Sequence, residues 1–231
     1  MSNFVFQTVN DGLLLVFNNV PYKMIMISGG PFLSGTWDNE QEDYIENDFF
    51  LGEIPVTNEL YYSVLGGKYN IRDSRKPITN VPHSGLFHFI EELNRITHIQ
   101  FRLPTSKEWE YAAKGGAKSK HYKFAGSDNI QEVASVHLYN STPGSNPLKD
   151  EKQQVKLFKP NELGLYDMTG NIAEISSDLE EKTETGEKFY ITKGGAFYWR
   201  HLYQFDPGLN THYRVINEEK GDRGVGIRLA L

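Results

Sequence analysis

Residues 164–174, Gly-Leu-Tyr-Asp-Met-Thr-Gly-Asn-Ile-Ala-Glu, restrict the fold more than any other stretch of this 231-residue chain. Leu165 and Tyr166 are apolar enough to anchor the segment in a core. Asp167, Gly170 and Asn171 force a turn, through side-chain hydrogen bonding to the backbone and a permissive glycine. Asp167 and Glu174 bracket that turn, and two readings follow. A compact loop with a carboxylate at each end and carbonyls between offers only hard oxygen ligands, which suits calcium better than zinc or copper. The other reading is an Asp-stabilised turn followed by a solvated Glu.

A chain of this length with 39% hydrophobic and 13% aromatic residues can bury a sizeable core, and the reading is one domain over 1–231. Its formal net charge of -6, with no local run of Lys and Arg, excludes a generic nucleic-acid surface. The apolar run Leu13–Phe17 falls far short of the roughly 20 residues that cross a bilayer, so no membrane partner is expected. The start carries no positive charge and no small-residue cleavage site, which is unlike a secretion signal. With no cysteine there is no disulfide, and a cytoplasmic location is the default.

Short β-rich pieces at 4–6, 13–17 and 24–27, separated by Asn-Asp-Gly and Asn-Asn turns, predict a hairpin or meander at the start. The acidic run 37–48 reads as a solvated loop. Thr57 is placed to cap a short helix that Gly66 and Gly67 end, and Leu86, Phe89, Ile90, Leu93 and Ile96 give 84–97 the spacing of a core-facing helix. Thr105 and Glu108 form a capping box ahead of a helix that buries Trp109, Ala112 and Ala113. From 118 to 159 the pattern dissolves, and 176–188 reads as a solvated acidic loop. At the end, Val225, Ile227, Leu229 and Leu231 alternate with Gly226, Arg228 and Ala230, a strand with one buried face.

The 164–174 stretch resembles the Gly-Leu-Tyr-Asp/Asn-Met-x-Gly-Asn-x-x-Glu signature of the formylglycine-generating enzyme family, the sulfatase-modifying-factor domain. Three further matches follow the family's order: Phe101-Arg-Leu-Pro-Thr-Ser-Lys-Glu-Trp-Glu-Tyr-Ala-Ala113, Lys193-Gly-Gly-Ala-Phe197 and Gly226-Ile-Arg-Leu-Ala230. A weaker one, Met24-Ile-Met-Ile-Ser-Gly-Gly-Pro-Phe32 with Pro55-Val-Thr-Asn58, resembles its opening strand and turn. The resemblance implies an α+β, C-type-lectin-like fold: a twisted antiparallel β core, two main helices and extensive irregular loops. It also implies structural calcium, held by the side chains of Asp167 and Glu174 and the carbonyls of Gly170 and Ile172.

The family's best-known reaction oxidises a sulfatase cysteine to formylglycine with copper on two thiolates. Both are missing here, where a gapless count gives Trp199 for the first and places the second near Gln204. Neither side chain supplies a soft thiolate, so no copper and no catalytic residue are expected. The competing reading is a metal-dependent oxidase with an unrecognised or partner-supplied site, but the seven histidines show no HxH or HxxxH pair. What remains is binding. Trp199, Arg200, His201, Tyr203, Gln204, Tyr213 and Arg214 are rich in the types that anchor interfaces and occupy the segment lining the family's groove, which implies a protein or peptide ligand there. The same segment forms the variable surface of retroelement proteins that share this fold. The bland alternative assigns many of these aromatics, Phe197 and Trp199 among them, to the core.

Overall fold

The computed structural model describes residues 4–134, 151–182, 186–199, 201–209, 211–214 and 221–231, with the backbone alone for Lys182, Leu202 and 211–214. Most of the 118–159 stretch read as patternless is described; 135–150 lies outside.

The chain opens as an antiparallel meander: Phe4–Val9 (β1), Gly12–Phe17 (β2) and Val20–Ile27 (β3). Asn18 and Asn19 both take positive φ, 48° and 68°, which fits the right-handed twist of a two-residue hairpin. Gly30–Thr36 (β4) and Asn39–Ile45 (β5) form a separate hairpin, and Phe49–Gly52 (β6) returns to β3, giving a sheet of order β1-β2-β3-β6. Most of the acidic run read as a loop is therefore strand β5. Its side chains from Asn39 to Glu42 lie in solvent and only Ile45 is buried, so its sequence lacks the alternation that marks a half-buried strand.

Three helices of eight residues or more follow. Asn58–Leu65 (α1) is capped by Thr57, whose Oγ1 accepts the Leu60 N–H, and ends at Gly66 with φ 76°. His83–Thr97 (α2) buries Leu86, Phe89, Ile90 and Leu93, as the spacing requires. Ser106–Ala113 (α3) starts with the capping box: Thr105 Oγ1 accepts from Glu108 N at 3.0 Å, and Glu108 Oε2 accepts from Thr105 N at 2.8 Å.

The second sheet has the order β10-β7-β8-β9, built from Ala173–Lys182 (β7), Glu187–Lys193 (β8), Thr211–Arg214 (β9) and Val225–Gly226 (β10). Much of the stretch expected to be a solvated acidic loop, 176–188, is thus the β7–β8 hairpin, with a register shift between Ile175 and Leu179.

The last seven residues are the seam between the sheets. Val225 and Gly226 run parallel to Ala173 and Glu174, and the tail then bonds backwards along β6: Gly52 N–H donates to Leu229 O at 2.8 Å, and Phe50 and Leu231 exchange both bonds. Arg102 and Ala230 pair on the other side. The predicted single buried face is corrected here. Residues 225–230 are all buried, because Val225, Ile227 and Leu229 pack into one core while Ala230 packs with Trp109 and Arg228 pairs with Glu174 on the opposite face.

The main core gathers Leu15, Phe17, Tyr22 and Met24 of the first sheet, Leu86, Phe89 and Leu93 of α2, and Ile175, Ile227 and Leu229 of the second sheet and tail. A second cluster surrounds Trp109 and Tyr111 of α3, with Ile25, Ile27, Leu51, Leu165 and Met168.

Candidate functional site

Glu174 sits at the start of β7, where the second sheet meets the tail, and is 1% exposed. Its Oε1 accepts from Arg228 Nη2 at 2.7 Å, and its Oε2 from Arg228 Nε at 2.9 Å and Trp109 Nε1 at 2.6 Å. The guanidinium also donates to Gly52 O and Tyr166 O, both at 2.8 Å. Burial works against a charge on Arg228, and the carboxylate facing it outweighs that, holding the group above its ordinary value. The solvated Glu is excluded. Its bidentate pair ties β6, the 164–174 loop and β7 to one side chain of the tail.

Asp167 is also buried, at positive φ (58°), as are Gly170 and Asn171 at 71° and 62°. One carboxylate oxygen accepts Lys156 N–H at 2.9 Å, and the other takes a long contact from Asn171 Nδ2 at 3.5 Å. Burial pushes the carboxyl up from its usual range, and the charge on Glu174 adds to that. The cluster Asp167, Glu174 and Arg228 thus carries two carboxylates against one cation.

Several features of the loop fit a hard cation. Among the described residues no hydrogen bond reaches the carbonyls of Gly170 or Ile172, although both residues are buried. A cavity of about 10 Å³, the size of a single water, lies against Asp167, Thr169, Asn171 and Phe197, while Gly170, Ile172 and Glu174 do not line it. Glu174 has spent three acceptor positions and keeps one, on Oε1, so it could ligate only through a single oxygen. Asp167, the Gly170 and Ile172 carbonyls and that one oxygen would hold the ion. Among the described residues no group of three His, Cys, Asp or Glu side chains could hold a metal.

A second buried ion pair escaped the sequence reading. Lys193 Nζ donates to Glu110 Oε2 at 3.0 Å, while Glu110 Oε1 accepts Gly35 N–H at 2.6 Å. Lys114 Nζ bridges Leu33 O, Gly35 O and Glu40. Asp206 accepts Trp37 N–H at 2.8 Å and Gly208 N–H at 2.8 Å. The network clamps the β4–β5 hairpin between α3, β8 and the 206–209 turn.

The recognition candidates divide. Phe197 is buried and Trp199 is half-buried, packed against the main core and against the small cluster of Phe124, Ile130, Val133, Ala134 and Phe205. His201 and Tyr203 reach solvent, with Tyr203 60% exposed and the two rings stacked at 5.6 Å. Gln204 Oε1 accepts His201 N–H at 3.0 Å and so fixes that turn. Arg200 lies outside the described residues, as do the side chains of Tyr213 and Arg214, whose backbone pairs with Tyr190 and Phe189 of β8. A cleft of about 520 Å³ opens between the β4–β5 hairpin and residues 114–128, with Trp37, Tyr122 and Lys123 on its walls. None of the candidate residues lines it.

The profile of the sulfatase-modifying factor enzyme 1-like domain matches residues 17–231. The chain is 26% identical to the chaperone protein LppX of Paenibacillus barcinonensis, over 75% of this chain and 78% of that one. It is 31% identical to the formylglycine-generating enzyme of Mus musculus over 42% of this chain, spanning only 30% of the enzyme's length. Among solved structures, Treponema denticola variable protein 1 superposes with a TM-score of 0.71 over 98% of both chains at 22% identity, a likeness of fold. With its signature loop, its α3 segment and its tail meeting at one buried ion pair, and with the profile spanning nearly all of it, the chain belongs to the sulfatase-modifying factor enzyme 1-like domain family.

Proposed function

We propose that this member of the family is a catalytically silent binding module, with a structural calcium on the 164–174 loop and a protein or peptide ligand recognised at the 199–214 segment. The observation that carries the reading is chemical: a chain with no cysteine has no thiolate to hold copper or carry the redox step. The stacked His201–Tyr203 pair offers a rigid aromatic anchor of the kind that dominates interface energetics. A relative named as a chaperone protein is consistent with protein binding.

Metal analysis of the purified chain tests the first half. Calcium near one ion per chain is expected. Stoichiometric copper or iron, or conversion of a cysteine peptide to the aldehyde by the isolated chain, overturns the reading in favour of an oxidase. Calcium held at about 100 times its dissociation constant should raise the thermal midpoint by roughly 5–10 °C relative to EGTA. Asp167→Ala should abolish that rise. For recognition, peptides selected from a random library on the immobilised protein should lose binding to Tyr203→Ala by about tenfold or more. Undiminished binding removes the 199–214 segment from consideration.

A further inference from the structure

The first strand is a sheet edge without any of the devices that keep edges apart. β1 reads Phe-Val-Phe-Gln-Thr-Val, with no proline, no charge and an unbroken six-pair register against β2. Among the described residues it has no second neighbour. Natural sheets blunt such an edge with lysine, proline or a bulge, because its unpaired N–H and C=O groups template pairing with another strand. Val5 is 52% exposed and Phe6 38%. Phe6 lies opposite Leu15, on the face that carries the main core, so the apolar row Leu15, Phe17 and Phe4 runs out to this edge.

We propose that β1 pairs antiparallel with β1 of a second copy, joining the two four-stranded sheets into one of eight. Charge favours a second copy. The chain as a whole carries -6, yet from Phe4 to Tyr22 its one charged residue is Asp11, and Lys23 neutralises that at 2.7 Å. Two acidic molecules can meet at this edge without opposing like charges.

The hairpin also sets the register. Val9 and Gly12 flank the two-residue turn and form the hydrogen-bonded pair that closes it, so Val5, Gln7 and Val9 aim their backbone groups at β2. Phe4, Phe6 and Thr8 aim theirs outward. A two-fold axis at Phe6 uses all three on both copies: Phe6 opposes Phe6 of the second copy, and Phe4 opposes its Thr8. The axis places identical residues across from each other, as an isologous contact requires.

Because the chain has no cysteine, the register can be tested by single introduced thiols. Two residues opposed in a hydrogen-bonded antiparallel pair lie about 5.5 Å apart at Cα, within disulfide reach. Phe6→Cys should oxidise to a covalent dimer at least about tenfold faster than Val9→Cys, whose two copies would sit roughly 20 Å apart in this register. Unmodified protein at ~100 µM should show twice the monomer mass in light scattering, a concentration suited to a small, transient interface. Thr8→Pro removes an outward N–H and spares the β1–β2 ladder, so it should return the mass to that of a monomer with the circular dichroism unchanged. Val5→Lys, on an exposed position, does the same if the proline variant fails to fold. Leu179→Lys, an exposed apolar position on the other sheet, should leave the dimer intact. A monomer at every concentration overturns the proposal, as does a dimer that persists in Val5→Lys or that crosslinks equally through positions 6 and 9.

Discussion

At the scale of single residues, Arg228 ties β6, the 164–174 loop and β7 to the tail. Its guanidinium bonds Gly52, Tyr166 and both oxygens of Glu174 with none of it exposed. Arg228→Met strands a buried carboxylate, and denaturant unfolding should register a loss of about 3–5 kcal/mol. Arg228→Lys should recover little of it, since one ammonium cannot match a planar fork aimed at four acceptors. A loss below about 1 kcal/mol in both variants would mean that Glu174 finds another partner or protonates cheaply. The pair was half legible in the sequence. Both residues lie in stretches that match the family, yet the alternation of the tail made Arg228 look like the polar side of a strand rather than the partner of Glu174. The residues sharing that side, Gly226 and Ala230, are small rather than polar, and that was the available sign of close packing on both faces. Lys152 shows the reverse arrangement. Burial, with the charge of Lys76 adding to it, pulls the ammonium down to about 8, although it donates to Pro77 O at 2.8 Å and Thr79 Oγ1 at 2.6 Å. A base depressed on folding penalises the native state while it is charged, and raising the pH removes that penalty. Thermal midpoints should therefore climb from about pH 8 towards the ordinary lysine range, and Lys152→Met should flatten that climb.

Among the elements, those with local physics were legible and those held by distant partners were not. The three helices follow from caps and apolar spacing that lie within a dozen residues. Thr105→Ala, which breaks a reciprocal cap, should cost about 1 kcal/mol in urea unfolding, and a neutral result would show that Glu108 holds the turn alone through Arg102. Strand β5 and the outer half of β7 escaped because Glu40, Glu42, Glu180 and Glu181 face water and their order comes from pairing across the hairpin, a context no local window contains, whereas the apolar run Phe189–Thr192 of β8 reads as β from the sequence. The β4–β5 hairpin is held at its tip by a contact that composition cannot signal. A Cβ on Gly208 would sit 1.8 Å from Gly35 O, so the 206–209 turn and the hairpin meet backbone to backbone. Gly208→Ala should part them and lower stability by about 1–3 kcal/mol. Trp37, whose amide binds Asp206, should become more exposed, a change readable as a red shift in its fluorescence. An unshifted spectrum with full stability would mean that the turn slides aside at no cost.

For the molecule as a whole, the family profile begins at residue 17, yet the core does not. Leu15 and Phe17 are fully buried and belong to the same cluster as α2 and the tail, with Tyr22 and Met24 beside them. β2 is therefore structural to the domain, although the profile leaves most of it out. A chain starting at Phe17 loses Leu15 and its ladder, leaves β3 as the new edge, and opens Tyr22 and Met24 to water. Removing one buried leucine side chain costs about 2–5 kcal/mol. The truncation should exceed that lower bound, against a total stability of about 5–15 kcal/mol for a typical domain. The expected result is a urea midpoint lowered in proportion, with unfolding still a single transition because the seam formed by residues 225–231 remains. A truncated chain that unfolds at the full-length midpoint would show that the first two strands only rest on the domain. β1 would then have no rigid platform from which to pair with a second copy.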